Sequence, residues 1–210
     1  MLDQTDLVTQ ATYHNKLGLM YHRKKNYSEA LKQFKAAFQI AEQIGDSNRQ
    51  VLYLNYIGGI HKIQGNMHMA LEIFSKVLKI AKQQKNQLLE AISLNRIGLI
   101  YHNRGTHSKD SEQYSEALIS FKEAMSLYNS ALEIALKLKS SDIVVVSLNN
   151  IAGLYKAQGN YQKALKTYHK ALEILSELGL KDSLNAEKIR KNIVYLEKLM
   201  NEQSEGNHHN

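Results

Sequence analysis

The sequence predicts an all-α protein built from repeated helix hairpins, and three observations support this prediction. Apolar residues recur at offsets of three, four and seven along most of the 210 residues, which is the period of an amphipathic helix. Small and aromatic landmark residues recur at fixed distances. The chain also has no proline, and it is rich in alanine, leucine, lysine and glutamine, which favour helices.

The pattern is clearest in residues 148–175, which read LNNIAGLYKAQGNYQKALKTYHKALEIL. The stretch predicts two amphipathic helices joined by a turn at residues 158–160. Ala152 and Ala164 stand where larger residues would be expected, which indicates that the two helices approach closely there. One such pair cannot bury its apolar face alone, so the chain should contain copies.

Three further units carry the same landmarks. Each first helix has a small residue, each second helix has an alanine, and an aromatic residue follows that alanine by four positions. In chain order the first-helix landmarks are Gly18, Gly58, Gly98 and Ala152, and the second-helix pairs are Ala30 with Phe34, Ala70 with Phe74, Ala124 with Tyr128, and Ala164 with Tyr168. The first-helix landmarks are 40, 40 and then 54 residues apart. So many landmarks in phase indicate a repeat protein.

These residues resemble the tetratricopeptide repeat pattern. Leu17-Gly18 with Tyr21 matches its first helix, Gly159-Asn160-Tyr161 its turn, and Ala164 with Tyr168 its second helix. The resemblance covers residues 11–178 and implies a right-handed α-solenoid of four helix hairpins with a C-terminal capping helix. The family's closing proline is absent. The period of 40 is similar to that of kinesin light chains, Leu-Gly-Asn-repeat adaptors and bacterial peptide-pheromone sensors.

We expect one solenoid over residues 1–201. The repeats are predicted at about 5–44, 47–84, 87–138 and 141–178, the capping helix at 183–200 and a disordered tail at 202–210. The third unit holds 14 extra residues near 106–119. They predict a loop over THSKDSEQ and a second helix lengthened by two turns at its start. Leu118 and Phe121 would then lack a cover, so the segment is either a tolerated surface insertion or a spur for self-association or docking.

The resemblance also implies that the first helices line a concave groove. Residues three before, one after and four after each landmark share one helical face. They are Asn15, Leu19 and His22, then Asn55, Gly59 and Lys62, then Asn95, Leu99 and His102, then Asn149, Gly153 and Lys156, with Arg23 beside the first set. An asparagine amide offers donors and an acceptor, and in similar proteins such residues hold a peptide main chain. The alternative is that each asparagine bonds a neighbouring helix and only orders the stack.

Charge predicts the character of the guest. The net charge is +7, and residues 61–110 carry most of the excess. Gly59 and Gly153 should leave hollows beside Lys62 and Lys156. Together with the groove histidines they predict a mildly basic groove that becomes more basic below pH ~6.5, where ordinary histidines protonate. An acidic peptide, or one that presents its C-terminal carboxylate, is the expected partner.

Other function classes have little support in the sequence. It has no cysteine, no His-Glu-x-x-His motif and no phosphate loop, so we expect no catalytic residue, no cofactor and no metal site. His208-His209 would bind metal only weakly. No apolar run is long enough for a membrane span, and a cytoplasmic location is expected. A self-assembly module and an RNA-binding helical repeat stay open as alternatives, and a regulator similar to the pheromone sensors ranks below them.

Overall fold

A computed structural model describes residues 3–206 of the protein. These residues form nine α-helices and no strand, so the all-α prediction is confirmed. In chain order the helices are α1 (Gln4–Arg23), α2 (Tyr27–Gln43), α3 (Ser47–Ile63), α4 (Met67–Gln83), α5 (Gln87–Asp110), α6 (Tyr114–Lys137), α7 (Ser141–Ala157), α8 (Tyr161–Glu177) and α9 (Leu184–Gly206).

The chain divides into two compact units, Met1–Asn86 and Gln87–Asn210. In the first unit, α1 packs against α2, α2 against α3 and α3 against α4. In the second unit, consecutive helices from α5 to α9 pack against each other in the same way, and α5 also packs against α7. Two first helices of successive hairpins therefore lie side by side there, and this pair positions the candidate site.

Glycine at the landmark positions lets the two helices of a hairpin touch. A Cβ atom built on Gly58 would lie 2.8 Å from Cε1 of Phe74, and one on Gly98 would lie 2.7 Å from Cε1 of Tyr128. Real Cβ atoms keep normal carbon contacts of about 3.5–4.0 Å, so a side chain does not fit at either position. The aromatic ring fills that space instead, and Tyr128 is fully buried.

The turns between helices use left-handed backbone at their second residue. Gly65 has φ 77°, its N–H donates to the Lys62 carbonyl at 3.1 Å, and the Asn66 N–H donates to the His61 carbonyl at 2.9 Å. These bonds satisfy carbonyls that the end of α3 leaves without a partner. Glu112 occupies the same kind of position after α5 with φ 60°, although it is not glycine.

The third hairpin differs from its prediction. Helices α5 and α6 have 24 residues each, whereas α7 and α8 have 17 each. The insertion is thus shared equally, and each helix gains seven residues, or two turns. The predicted loop THSKDSEQ was wrong over its first five residues, because α5 continues to Asp110.

The two extra turns also repeat the landmark contact. Gly105 lies seven residues after Gly98, and a Cβ atom on it would be 2.6 Å from Cδ1 of Phe121, which lies seven residues before Tyr128. Phe121 is therefore only 4% exposed, and the prediction that it lacks a cover was wrong. Leu118 is 67% exposed, as expected for an uncovered residue.

Helix α9 packs against α8 and buries Ile189, Ile193 and Leu196, which agrees with its predicted role as a cap. It continues to Gly206, beyond the predicted end at residue 200. Residues 202–206 are therefore helical and not the start of a disordered tail. Glutamate and glutamine favour helices, and residues 184–205 contain no glycine. His208-His209 lie outside the described residues.

Candidate peptide-binding surface

The predicted face is partly accessible in both units. Most of its residues are half-buried, Arg23 is exposed, and Asn95 is buried. The half-buried ones are Asn15, Leu19, His22, Asn55, Gly59, Lys62, Leu99, His102, Asn149, Gly153 and Lys156. This burial follows from the helix register, because the landmark residues point into the hairpin and the residues three or four positions away point to its edge.

In the first unit, Gly59 leaves a hollow, as predicted. A Cβ atom built there would meet nothing within 4 Å, and the half-buried Lys62 follows on the same face. On α1, the Asn15 side-chain oxygen is buried and has no hydrogen-bond partner among the described residues. The His22 ring lies edge-on to the Tyr27 ring, with 5.7 Å between their centroids.

Asn95 has a structural role in the second unit. It is 5% exposed, its Nδ2 donates to Ser147 Oγ at 2.8 Å, and its Oδ1 accepts from Asn150 Nδ2 at 3.2 Å. These bonds join α5 to α7. Of the two roles that the sequence left open for the asparagines, Asn95 therefore has the internal one, and its contact with a ligand stays a prediction.

The structure brings five predicted residues together around one polar pocket of about 420 Å³ in the second unit. Its walls come from α5, α7, α8 and α9. The lining residues are Leu99, His102, Thr106, Asn149, Asn150, Gly153, Lys156, Ala157, Tyr168 and Asn192. None of them is acidic.

Two polar atoms of this pocket lack a hydrogen-bond partner among the described residues. They are Asn149 Oδ1 and His102 Nδ1, and both are buried. Buried polar atoms in proteins are nearly always hydrogen-bonded, to protein, water or ligand. Asn149 and His102 line the pocket, and each carries hydrogen-bonding capacity that no described residue uses.

The electrostatics of His102 differ from the prediction. Burial, and secondly the nearby Lys156 ammonium, lower the pKa of His102 to about 4. The expectation that the groove gains charge below pH ~6.5 was therefore wrong at this residue, because burial favours the neutral imidazole. Lys156 is left as the charged residue of the lining, and its Nζ lies 5.3 Å from the centroid of the Tyr195 ring.

Sequence comparison identifies the family. Two sequence profiles of the tetratricopeptide repeat match the chain, one over residues 120–177 and 143–205 and the other over residues 11–44. The matches cover more than half of the chain. The protein belongs to the tetratricopeptide repeat family. Such repeats are protein–protein interaction scaffolds, and this chain has the same helical-repeat architecture. No curated protein sequence matches it.

Solved tetratricopeptide repeat structures share the fold at low sequence identity. The apo form of RapI is 23% identical with a TM-score of 0.68, and the match covers 92% of this chain and 54% of RapI. A Rap protein solved with Competence and Sporulation Factor is 14% identical with a TM-score of 0.71, and the match covers 93% of this chain and 50% of that protein. This chain thus spans about half the length of both Rap proteins.

A kinesin light chain-like protein of Podosopora anserina has a similar repeat fold over nearly its whole length. It is 14% identical with a TM-score of 0.65, and the match covers 99% of this chain and 93% of that protein. The resemblance to the longer-period subtype is consistent with this neighbour.

Sequence reasoning missed the contribution of α9 to the tetratricopeptide repeat surface. Asn192 lines the polar pocket, and the Tyr195 ring contacts Lys156, yet α9 was interpreted only as a cap. A signal was present, because Asn192-Ile193 repeats the dipeptide Asn150-Ile151 of α7. Asn150 was also missed, because only its neighbour Asn149 lies three residues before a landmark residue, the position that holds an asparagine in every repeat.

Across residues 3–206, no helix is long and apolar enough to cross a membrane. The same residues contain no group of three or more histidine, cysteine, aspartate or glutamate side chains that could hold a metal ion.

Proposed function

We propose that this tetratricopeptide repeat protein binds an extended, acidic peptide segment of a protein partner on the face formed by its first helices. The observation that carries the proposal is the polar pocket of the second unit. It contains the Lys156 ammonium, lacks an acidic lining residue, and holds two buried polar atoms without a partner among the described residues.

An extended peptide suits this surface because its backbone presents both N–H donors and C=O acceptors. Asn149, Asn150 and Asn192 line the pocket, and each side-chain amide can donate and accept. In the first unit, Arg23 and Lys62 add positive charge, and Gly59 leaves room for a side chain. Acidic residues of a partner would meet favourable potential on both units.

The structural neighbours add support. A Rap protein of the same fold has been solved in complex with Competence and Sporulation Factor, so a protein with this fold can take a binding partner. Because only the fold is shared at that level of identity, the guest of this chain has to be inferred from its own residues.

The test is a binding measurement with an array of ten-residue peptides of varied acidity, read by fluorescence polarisation against the full chain. Asn149→Ala should weaken the best binder by about 5-fold, since one hydrogen bond to a ligand contributes about 1 kcal/mol. Its oxygen has no partner within the described residues, so unfolding stability should hardly change. Asn129→Ala is the matched control, because Asn129 is exposed on α6.

Unchanged affinity in a chain that combines Asn149→Ala with Lys156→Ala would overturn the proposal. So would an array in which acidic peptides bind no better than neutral ones.

Self-association through α6 is the second candidate. Tyr114, Leu118 and Ile119 are 66%, 67% and 64% exposed near the start of that helix, and clustered exposed apolar residues often mark interfaces. Sedimentation velocity at high protein concentration decides it. A dimer that Leu118→Glu dissociates would support this candidate, and a monomer at all concentrations would exclude it.

A further inference from the structure

We infer that the peptide segment is bipartite: one of its carboxylates binds beside Lys156 in the polar pocket, and an apolar side chain about three residues away binds in an adjoining pocket between α5 and α7. This inference rests on the proposed function and specifies the sequence of the guest.

The charges around the polar pocket select a carboxylate. At neutral pH Lys156 is the charged residue in the lining, because His102 is neutral with a pKa of about 4. The Lys156 ammonium lies against the Tyr195 ring, a contact that positions a cation without neutralising it. Lys109 Nζ donates to the carbonyl of Ala157, one of the lining residues, at 2.8 Å. The lining therefore has the Lys156 ammonium and no carboxylate of its own.

The polar atoms of the pocket can also form hydrogen bonds with the peptide backbone next to this carboxylate. A backbone N–H of the guest can donate to Asn149 Oδ1 when this side chain rotates toward the pocket, because the oxygen is buried and gives up no hydrogen bond to a described residue. The neutral His102 can donate or accept at Nδ1, depending on its tautomer. The carboxylate itself can accept from Lys156 and from the amide of Asn192, so α9 contributes directly to recognition.

The adjoining pocket is apolar and has a similar size of about 420 Å³. Four of its eight lining residues are aliphatic, namely Ile92, Leu99, Ile143 and Val146, and the other four are Asn95, Arg96, Asp142 and Asn150. Leu99 and Asn150 line both pockets, so the two adjoin. An apolar side chain of the same peptide would lose contact with water when it enters this pocket, and that burial favours binding.

The spacing follows from the helix that both pockets share. On α5 the apolar pocket extends from Ile92 to Leu99 and the polar pocket from Leu99 to Thr106. Their centres are therefore about seven residues apart, or about 10 Å at 1.5 Å per residue. An extended peptide covers that distance in about three residues. The expected peptide sequence is therefore apolar-x-x-acidic or acidic-x-x-apolar, depending on the direction in which the peptide binds.

The experiment is a positional-scanning library of eight-residue peptides, measured by fluorescence polarisation against the full chain. We expect binders to require Glu or Asp at one position and an apolar residue three positions away. Replacing that Glu by Gln should weaken binding by about 10-fold, as expected for a charge-assisted hydrogen bond. A peptide with phosphoserine in place of the acidic residue should bind no better than the Glu peptide.

Three variants separate the pockets. Lys156→Gln should abolish the preference for Glu over Gln and leave the apolar preference intact, and Tyr195→Leu should reduce the same preference in part. Val146→Phe, which fills the apolar pocket, should abolish the preference for an apolar residue and leave the preference for Glu over Gln intact. The matched controls are Lys170→Gln on the exposed side of α8 and Val194→Phe, at a residue that is 65% exposed on α9.

The outcomes distinguish this inference from the function on which it rests. Peptides that bind without an acidic preference, or a Glu preference that survives Lys156→Gln, would overturn the bipartite signature and leave a peptide-binding surface. Tighter binding of phosphoserine would overturn the carboxylate assignment. If no peptide binds at all, the proposed function itself is wrong.

Discussion

The contact between Gly98 and Tyr128 gives a quantitative test of the packing described above. In Gly98→Ala the new methyl group would lie 2.7, 2.8 and 3.3 Å from three atoms of the Tyr128 ring. The ring is fully buried and cannot swing into solvent. Overpacking of this kind costs about 1–3 kcal/mol, and the better helix propensity of alanine offsets about 1 kcal/mol. The free energy of unfolding should therefore fall by up to about 2 kcal/mol.

Gly153→Ala in α7 is the matched control, because it makes the same chemical change inside a helix of the same unit. Its Cβ would meet His102 Cε1 at 3.5 Å, an ordinary contact, so stability should rise by about 1 kcal/mol from propensity alone. Urea unfolding, followed by circular dichroism, measures both variants. Equal stabilities within about 0.5 kcal/mol, or a Gly98→Ala variant more stable than wild type, would refute the steric explanation.

Three further predictions follow from single side chains. Tyr128→Phe should stabilise the protein by about 1 kcal/mol, because the buried Tyr128 hydroxyl has no hydrogen-bond partner among the described residues and burying such a group costs free energy. The midpoint of urea unfolding measures the change, and a loss of stability would contradict the prediction. The pKa of His102 is lowered to about 4, so between pH 6.5 and 4 this histidine binds a proton in the unfolded chain but not in the folded chain. The free energy of unfolding should therefore fall as the pH falls through that range. Thermal melts at pH 7 and pH 5 should show a smaller fall in melting temperature for His102→Gln than for the wild type. Arg104→Ala should change stability by less than about 1 kcal/mol, because the Arg104–Glu116 ion pair is about half exposed and such pairs contribute little; a larger loss in urea unfolding would show that this pair helps to hold the extended hairpin.

The hairpins could be predicted because their signals are local. The helical period, the landmark glycines and the turn residues all act within about 40 residues, and each has a direct steric or hydrogen-bonding consequence. The extension of the third hairpin was harder to predict. Its polar segment THSKDSEQ has the composition of a loop, and only the second glycine–aromatic pair, Gly105 with Phe121, indicates that both helices continue.

The candidate site was predictable as a face but not as a set of contacts. Asn95 and Asn149 occupy equivalent positions in the repeat, yet Asn95 bonds Ser147 and Asn150, whereas Asn149 Oδ1 has no partner among the described residues. The difference comes from the helix that lies beside each one, which the repeat register does not specify. The pKa of His102 likewise depends on burial by residues far away in the sequence.

The paired seven-residue extensions also make the third hairpin adjustable in length. Seven residues bring an α-helix back to nearly the same direction, with a drift of only about 20°, so two added turns carry Ser111-Glu112-Gln113 about 10 Å outward while their orientation hardly changes. A short epitope or tag could be grafted at this tip, and its distance from the rest of the unit could be set by adding or removing two turns from both helices. The hydrophobic contacts below it would stay in register at each height.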